Sequence, residues 1–187
     1  NCVHTDVQWS NNKEKTFRAD LSASTCFVEE PVEDESPVLR TEVTLHQTPV
    51  IINDSIWHIL PSKLLIRKGK VHVENFGLAH DQEYLRLNGV VSKEPTDTLK
   101  MKMNNVELKY IFDILNIPAV QFAGKATGDF NICDLQGSRK MDTDLQVRNF
   151  SFNQVALGEL KLFSAWDDAQ SGILMRGNIY KNDTTWT

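Results

Sequence analysis

The sequence predicts an all-β fold, mainly antiparallel: an elongated, curled sheet of about eleven strands, with one short amphipathic helix near residues 105–116. Three observations carry this prediction. Met141 to Trp166, MDTDLQVRNFSFNQVALGELKLFSAW, alternates apolar and polar residues for longer than a compact domain usually requires. Residues 71–78, VHVENFGL, and 145–152, LQVRNFSF, align as apolar, x, Val, x, Asn-Phe, x, apolar at an offset of 74. Leu85-x-Leu87 likewise sits 75 positions before Leu160-x-Leu162, so residues 71–91 resemble 145–165 as an internal repeat of about 74 residues. Finally, the period changes to a helical one in a single place.

The elements follow in order. Val7 to Trp9 and Phe17 to Ser24 read as short strands around the polar turn Ser10-Asn11-Asn12-Lys13. The acidic run from Glu29 to Pro37, with two prolines and no apolar spacing, reads as a solvated loop. Leu39, Thr41, Val43 and Leu45 alternate with Arg40, Glu42 and Thr44, a strand with one buried face. Val50 to Ile52 and Ile56 to Leu60 are split by the turn-forming Asn53-Asp54-Ser55, and Pro61 ends the run. Leu64 to Ile66, a turn around Lys68-Gly69-Lys70, Val71 to Leu78 and Tyr84 to Ser92 come next. Within Val71 to Leu78 the apolar parity flips across Asn75, and within the later copy it flips across Asn149. A period-2 pattern cannot change parity without a bulge or bend, so one is expected at each asparagine.

After the strand of Leu99, Met101 and Met103, Leu108, Ile111, Phe112 and Leu115 fall at i, i+3, i+4 and i+7. That is one face of a short helix, with Asn104 or Asn105 as cap and Pro118 as stop. It is expected to plug an open end or flank of the sheet. Phe122 to Cys133 alternates again, and beyond the turn Asp167 to Gly172, Ile173-x-Met175-x-Gly177-x-Ile179 repeats the pattern of Leu85 to Val91. No Pro- or Gly-rich linker divides the chain, so 1–187 reads as a single β-rich repeat segment. Starting at Asn1 and ending mid-repeat, it reads as a piece of a longer protein.

Composition narrows the function. A net charge of −5 and a pI near 5.5 argue against nucleic acid as a partner. Cys2, Cys26 and Cys133 form no CxxC, so neither a zinc ribbon nor a thioredoxin-like site is indicated, and their sparse, odd number says little about compartment. Gly124-x-x-x-Gly128 lacks the Gly-Lys-Ser/Thr ending of a phosphate loop. There is no G-x-S-x-G or HExxH; His72, His80 and Asp81 could meet across a hairpin, but surface histidines on a strand's polar side are the commoner case. Asn-x-Ser/Thr occurs at Asn53, Asn149 and Asn182, which matters only in a eukaryotic secretory setting. No enzyme signature emerges, and no cofactor is expected.

What does emerge is an apolar set alternating with charged and polar residues: Val71, Val73, Leu85, Leu87, Leu99, Met101, Met103, Phe130, Ile132, Leu145, Val147, Leu160, Leu162, Ile173 and Met175. One reading makes them an ordinary core between two sheets. The other curls one sheet so that they line an open trough, a surface that demands a hydrophobic ligand or a further repeat. Eleven strands at roughly 4.8 Å spacing would give such a sheet a length on the order of 50 Å.

The succession of Trp57 with Pro61, then VHVENFGL, YLRLNGVVS, LKMKMNNVELKYIFDIL, FAGKATGDFNI, LQVRNFSFNQVALGELKLFSAWD and ILMRGNI, resembles the TamB-like translocation and assembly module proteins, the AsmA-related family of bacterial envelope proteins in its Bacteroidetes style. Asn149 to Asn153 with Leu157-Gly158 and Ser164 to Asp167 is its most specific part, and the likeness covers about Ile51 to the end. The resemblance implies a β-taco-like groove in a periplasmic segment, with the parent protein anchored in the inner membrane. It implies phospholipid transport between inner and outer membranes and outer-membrane biogenesis, including protein assembly and secretion. The partners implied are phospholipid acyl chains, a BamA-like outer-membrane barrel through the parent protein, and neighbouring repeats of the same chain. The alternative is a structural or binding β-sandwich module of an extracytoplasmic protein with a closed core.

Overall fold

The computed structural model describes residues 2–11, 17–32, 35–52, 55–114, 121–135, 137–138, 140–167 and 169–181. Its strands are β1 (Cys2–Asn11), β2 (Phe17–Val32), β3 (Glu35–Leu45), β4 (Thr48–Ile52), β5 (Ser55–Ile59), β6 (Ser62–Arg67), β7 (Lys70–His80), β8 (Glu83–Val91) and β9 (Thr98–Glu107). Helix α1 (Leu108–Ile114) follows, then β10 (Phe122–Cys133), β11 (Lys140–Phe152), β12 (Val155–Asp167) and β13 (Gly172–Tyr180). All thirteen strands belong to one antiparallel sheet.

The all-β class with one short helix is thus observed, but the strand count is thirteen where the sequence suggests about eleven. Met141 to Trp166, which reads as one long alternating stretch, is two paired strands, β11 and β12, turning back between Phe152 and Val155, whereas the short strands β3 to β6 are pieces of longer spans. Leu45 lies opposite Ser62 and Thr48 opposite Ile59, three residues on each side, so β3–β4 and β6–β5 form one interrupted hairpin in constant register. Against β7, Ile59 faces Leu78 and Leu64 faces Val73, again without a shift. Pro61, which has no N–H for the ladder, sits at the break, where the neighbouring Leu60 N–H donates to the Gly77 carbonyl. With β3–β4 and β5–β6 taken as single spans, every span pairs with its neighbours in sequence, a meander with no crossover.

The bends follow a rule. Val73 faces Gly89 and Phe76 faces Leu87, which puts three residues of β7 against two of β8. The same one-residue excess occurs on β9, where Met103 faces Gly128 and Val106 faces Ala126, and on β11, where Val147 faces Leu160 and Phe150 faces Gly158. These three alternate strands, all running the same way, therefore each carry an extra residue, and on β12 a further one between Ala156 and Gly158 restores the register after Phe150. At each bulge an asparagine takes positive φ: Asn75 at 54°, Asn105 at 55° and Asn149 at 52°. Apart from glycine, Asn enters this region most readily because its short amide bonds locally. Bulges repeated on alternate strands bend and twist the sheet in one sense. Close approach of strands accompanies them: a Cβ on Gly89, itself at φ +132°, would come within 2.1 Å of the Thr98 carbonyl oxygen.

The bulges expected at Asn75 and Asn149 are present, whereas the helix departs from expectation at its start. Asn105 does not cap α1. It is the bulge residue of β9, its N–H accepted by Thr127 Oγ1 at 2.9 Å, and the helix begins at Leu108 rather than near 105. Leu115 and Pro118, expected as the helix's last apolar position and its stop, lie outside the described residues. The described residues of the acidic run are strand rather than loop. Glu29 and Glu30 lie in β2, and Glu30 pairs with Arg40 of β3 and, at 2.9 Å, with Arg67 of β6.

Helix α1 closes one end of the sheet's apolar side. Tyr110 packs edge-on against Trp57 of β5 with centroids 5.5 Å apart, and its hydroxyl shares a hydrogen bond of 3.1 Å with Ser55. Beneath it, Ile52, Trp57, Met103, Val106, Leu108, Ala126, Leu145, Val147 and Phe150 form the buried cluster. At the sheet's other edge a disulfide joins the directly opposed Cys2 and Cys26, while Cys133 is free and half-buried.

Candidate functional site

Residues directly opposite each other in an antiparallel ladder project to the same face. The pairings therefore fix where the fifteen sequence-selected residues lie. Leu87 faces Met101, which faces Phe130, which faces Thr143, which faces Ser164, which faces Met175, one row across six strands. A neighbouring row runs Leu85, Met103, Gly128, Leu145, Leu162, Gly177. Val147 and Leu160 begin a third, continued by Ile179; Val73, Leu99 and Ile132 with Gly89 make a fourth; Val71 faces Val91; and Ile173 faces Trp166. All fifteen residues share one face.

The sequence reading missed residues that complete these rows. Phe76 and Leu78 of β7 extend the first two rows through their pairing with Leu87 and Leu85. Val106 and Ala126 join Val147, and Val50, Ile52, Trp57 and Ile59 carry the face past β7 into β5 and β4. The parity flip at Asn75 was the signal for Phe76 and Leu78. For β4 and β5 the runs are too short to announce a face.

The opposite face is mostly charged and polar, with Phe163 of β12 and Leu174 of β13 exposed on it. Arg86, Lys102, Asp129 and Asp144 form one row across it, with Lys102 Nζ 4.0 Å from Asp129. His72 is exposed and faces Val90, eight residues from His80 along the same strand, a span of about 25 Å. The two histidines therefore do not meet, and among the described residues no group of three metal-ligating side chains exists. A shallow polar cavity of about 380 Å³ opens at the bulges, lined by Asn105, Lys125, Arg148, Asn149 and Glu159. Its cations are engaged: Arg148 donates to Asn105 at 2.7 Å and Lys125 to Glu83 at 3.2 Å.

Burial grades along the apolar face. Met103, Leu145 and Val147, under the helix end, are 2%, 7% and 0% exposed. The ten residues from Val71 to Ile132 and at Leu160 and Leu162 are half-buried, while Ile173 and Met175 on the edge strand are 42% and 57% exposed. Among the described residues no second sheet lies over this face. No protein-family model, curated protein or solved structure matches the chain.

Proposed function

We propose that this chain is a periplasmic segment of a TamB/AsmA-like protein, and that its apolar face shields phospholipid acyl chains passing between inner and outer membranes. The observation that carries the reading is the continuous face itself: fifteen alternating apolar residues in register on one sheet, mostly half-buried. Each acyl CH₂ moved from water onto such a surface contributes about 0.8 kcal/mol, so no catalytic group is needed and the protein is not an enzyme. The parent protein, anchored in the inner membrane, delivers lipid in concert with a BamA-like barrel and neighbouring repeats. The Cys2–Cys26 disulfide is compatible with an oxidising compartment. The closed-sandwich reading has less support, because its second sheet is missing among the described residues.

Mass spectrometry of lipid extracted from the purified protein tests the proposal. Copurified phospholipid is expected, and Leu160→Asp, on a half-buried position of the face, should remove it without unfolding the sheet. Lipid-free wild-type protein that also captures none from vesicles would sink the conduit reading.

A further inference from the structure

Across β8 to β13 the apolar rows contain one polar interruption. Thr143 of β11 and Ser164 of β12 face each other directly, between Phe130 on one side and Met175 on the other. By parity they share the face of Leu145, Val147, Leu160 and Leu162. They are only 3% and 1% exposed, and neither hydroxyl oxygen has a hydrogen-bond partner among the described residues. A buried hydroxyl without a partner is costly, and two side by side on an otherwise apolar face are costlier still. Valine and alanine would fill the same places without that penalty.

We infer that Thr143 and Ser164 form a paired donor site for an acyl carbonyl oxygen, which places the ester linkage of a bound lipid on β11 and β12. The inference rests on the lipid-conduit reading and adds a position to it. An acyl ester is apolar along its chain and carries one strong acceptor where the chain ends. The face has the same pattern, with apolar rows on both sides of two hydroxyls that can each donate and, as neutral groups, add no charge to the trough. A chain whose carbonyl accepts from these hydroxyls can lie along Met101, Phe130 and Leu87 in the same row. Neighbouring side chains, including the exposed Met175, must swing aside to admit it.

The test compares phosphatidylethanolamine carrying two ester-linked chains with the same lipid carrying ether-linked chains, which lack the carbonyl. Binding to the wild type and to the double variant Thr143→Val, Ser164→Ala is read by native mass spectrometry. The expected wild-type preference for the ester lipid is about tenfold, the scale of one or two net hydrogen bonds, and the double variant should bind both lipids alike. Without lipid the double variant should melt no lower than wild type, since it loses only unpartnered hydroxyls.

Equal wild-type binding of ester and ether lipids would overturn the carbonyl site while leaving the conduit standing, as it would if the hydroxyls serve only an ordered water. A preference retained in the double variant, or a clear fall in its lipid-free melting temperature, would overturn the assignment to these two residues. Failure of the wild type to bind either lipid would remove the conduit reading and this inference with it. Should the double variant not fold, the wild-type ester and ether comparison decides alone.

Discussion

Asn149 shifts the strand's parity so that Val147 and Phe150 can occupy the same face, and it does so by taking a positive φ of 52°. Replacing it by glycine should leave stability nearly unchanged. Asn149→Val should cost about 1–2 kcal/mol, because a β-branched side chain is driven against its own carbonyl there. Urea denaturation of both variants reads the difference, and equal midpoints would contradict the strain account. A second residue-scale effect lies in the turn between β8 and β9. Ser92 donates to Asp97 at 2.6 Å and Lys70 at 2.9 Å, and these bonds hold the Asp97 carboxyl below its ordinary value of 3.8. Its hydrogen bond to Asp97 likewise holds Lys70 above its ordinary 10.5. A depressed carboxylate stabilises the fold above its unfolded pKa, and that contribution is lost as pH falls through the folded value. For Lys70 the contribution is present below about 10.5 and lost as pH rises further. Asp97→Asn should therefore flatten the acid limb of melting temperature below about pH 4; an unchanged limb would mean that the pair is not linked to folding.

At the scale of elements, α1 and β13 are the two extremes. The helix is anchored by Tyr110 on Trp57, and Trp57 is 3% exposed. Trp57→Ala should cost about 3–5 kcal/mol through the cavity it leaves, and Tyr110→Phe about 1 kcal/mol through the lost bond to Ser55. Thermal and urea melts measure both; a Trp57→Ala loss below 1 kcal/mol would show that the helix does not seal this end. Strand β13 is paired on one side only, and each of its residues after Gly172 is exposed. Opening free energy scales with such local burial. Amide exchange should therefore be fastest in β13 and slowest in β10 and β11, and the reverse order would place the stable core elsewhere. An apolar edge of this kind is also where another strand adds most readily.

Across the whole molecule, the all-β class was legible because strand after strand repeats one period, whereas the order in which the spans pair came only with the structure. Alternation in β11 and β12 showed in the residues themselves, and the parity flips at Asn75 and Asn149 told where the sheet bends. Other features depend on partners that the local sequence does not contain. Glu30 reads as loop until Arg40 and Arg67 arrive from two other strands. Asn105 carries the same bulge chemistry as Asn75, yet a following helical period made it look like a cap. The hydroxyls of Thr143 and Ser164 looked like ordinary polar positions until their register placed them in an apolar row.

The central claim is that this row-built face is an open, lipid-lined trough and its back a mostly charged and polar outer surface. Photo-crosslinking in cells tests it most directly, with the reactive residue placed in turn at Leu87, Leu160 and Met175 on the face and at Arg86, Lys161 and Arg176 on the back. Phospholipid adducts at the first three positions and none at the last three are predicted. Adducts at neither set, or equally at both, would contradict the account.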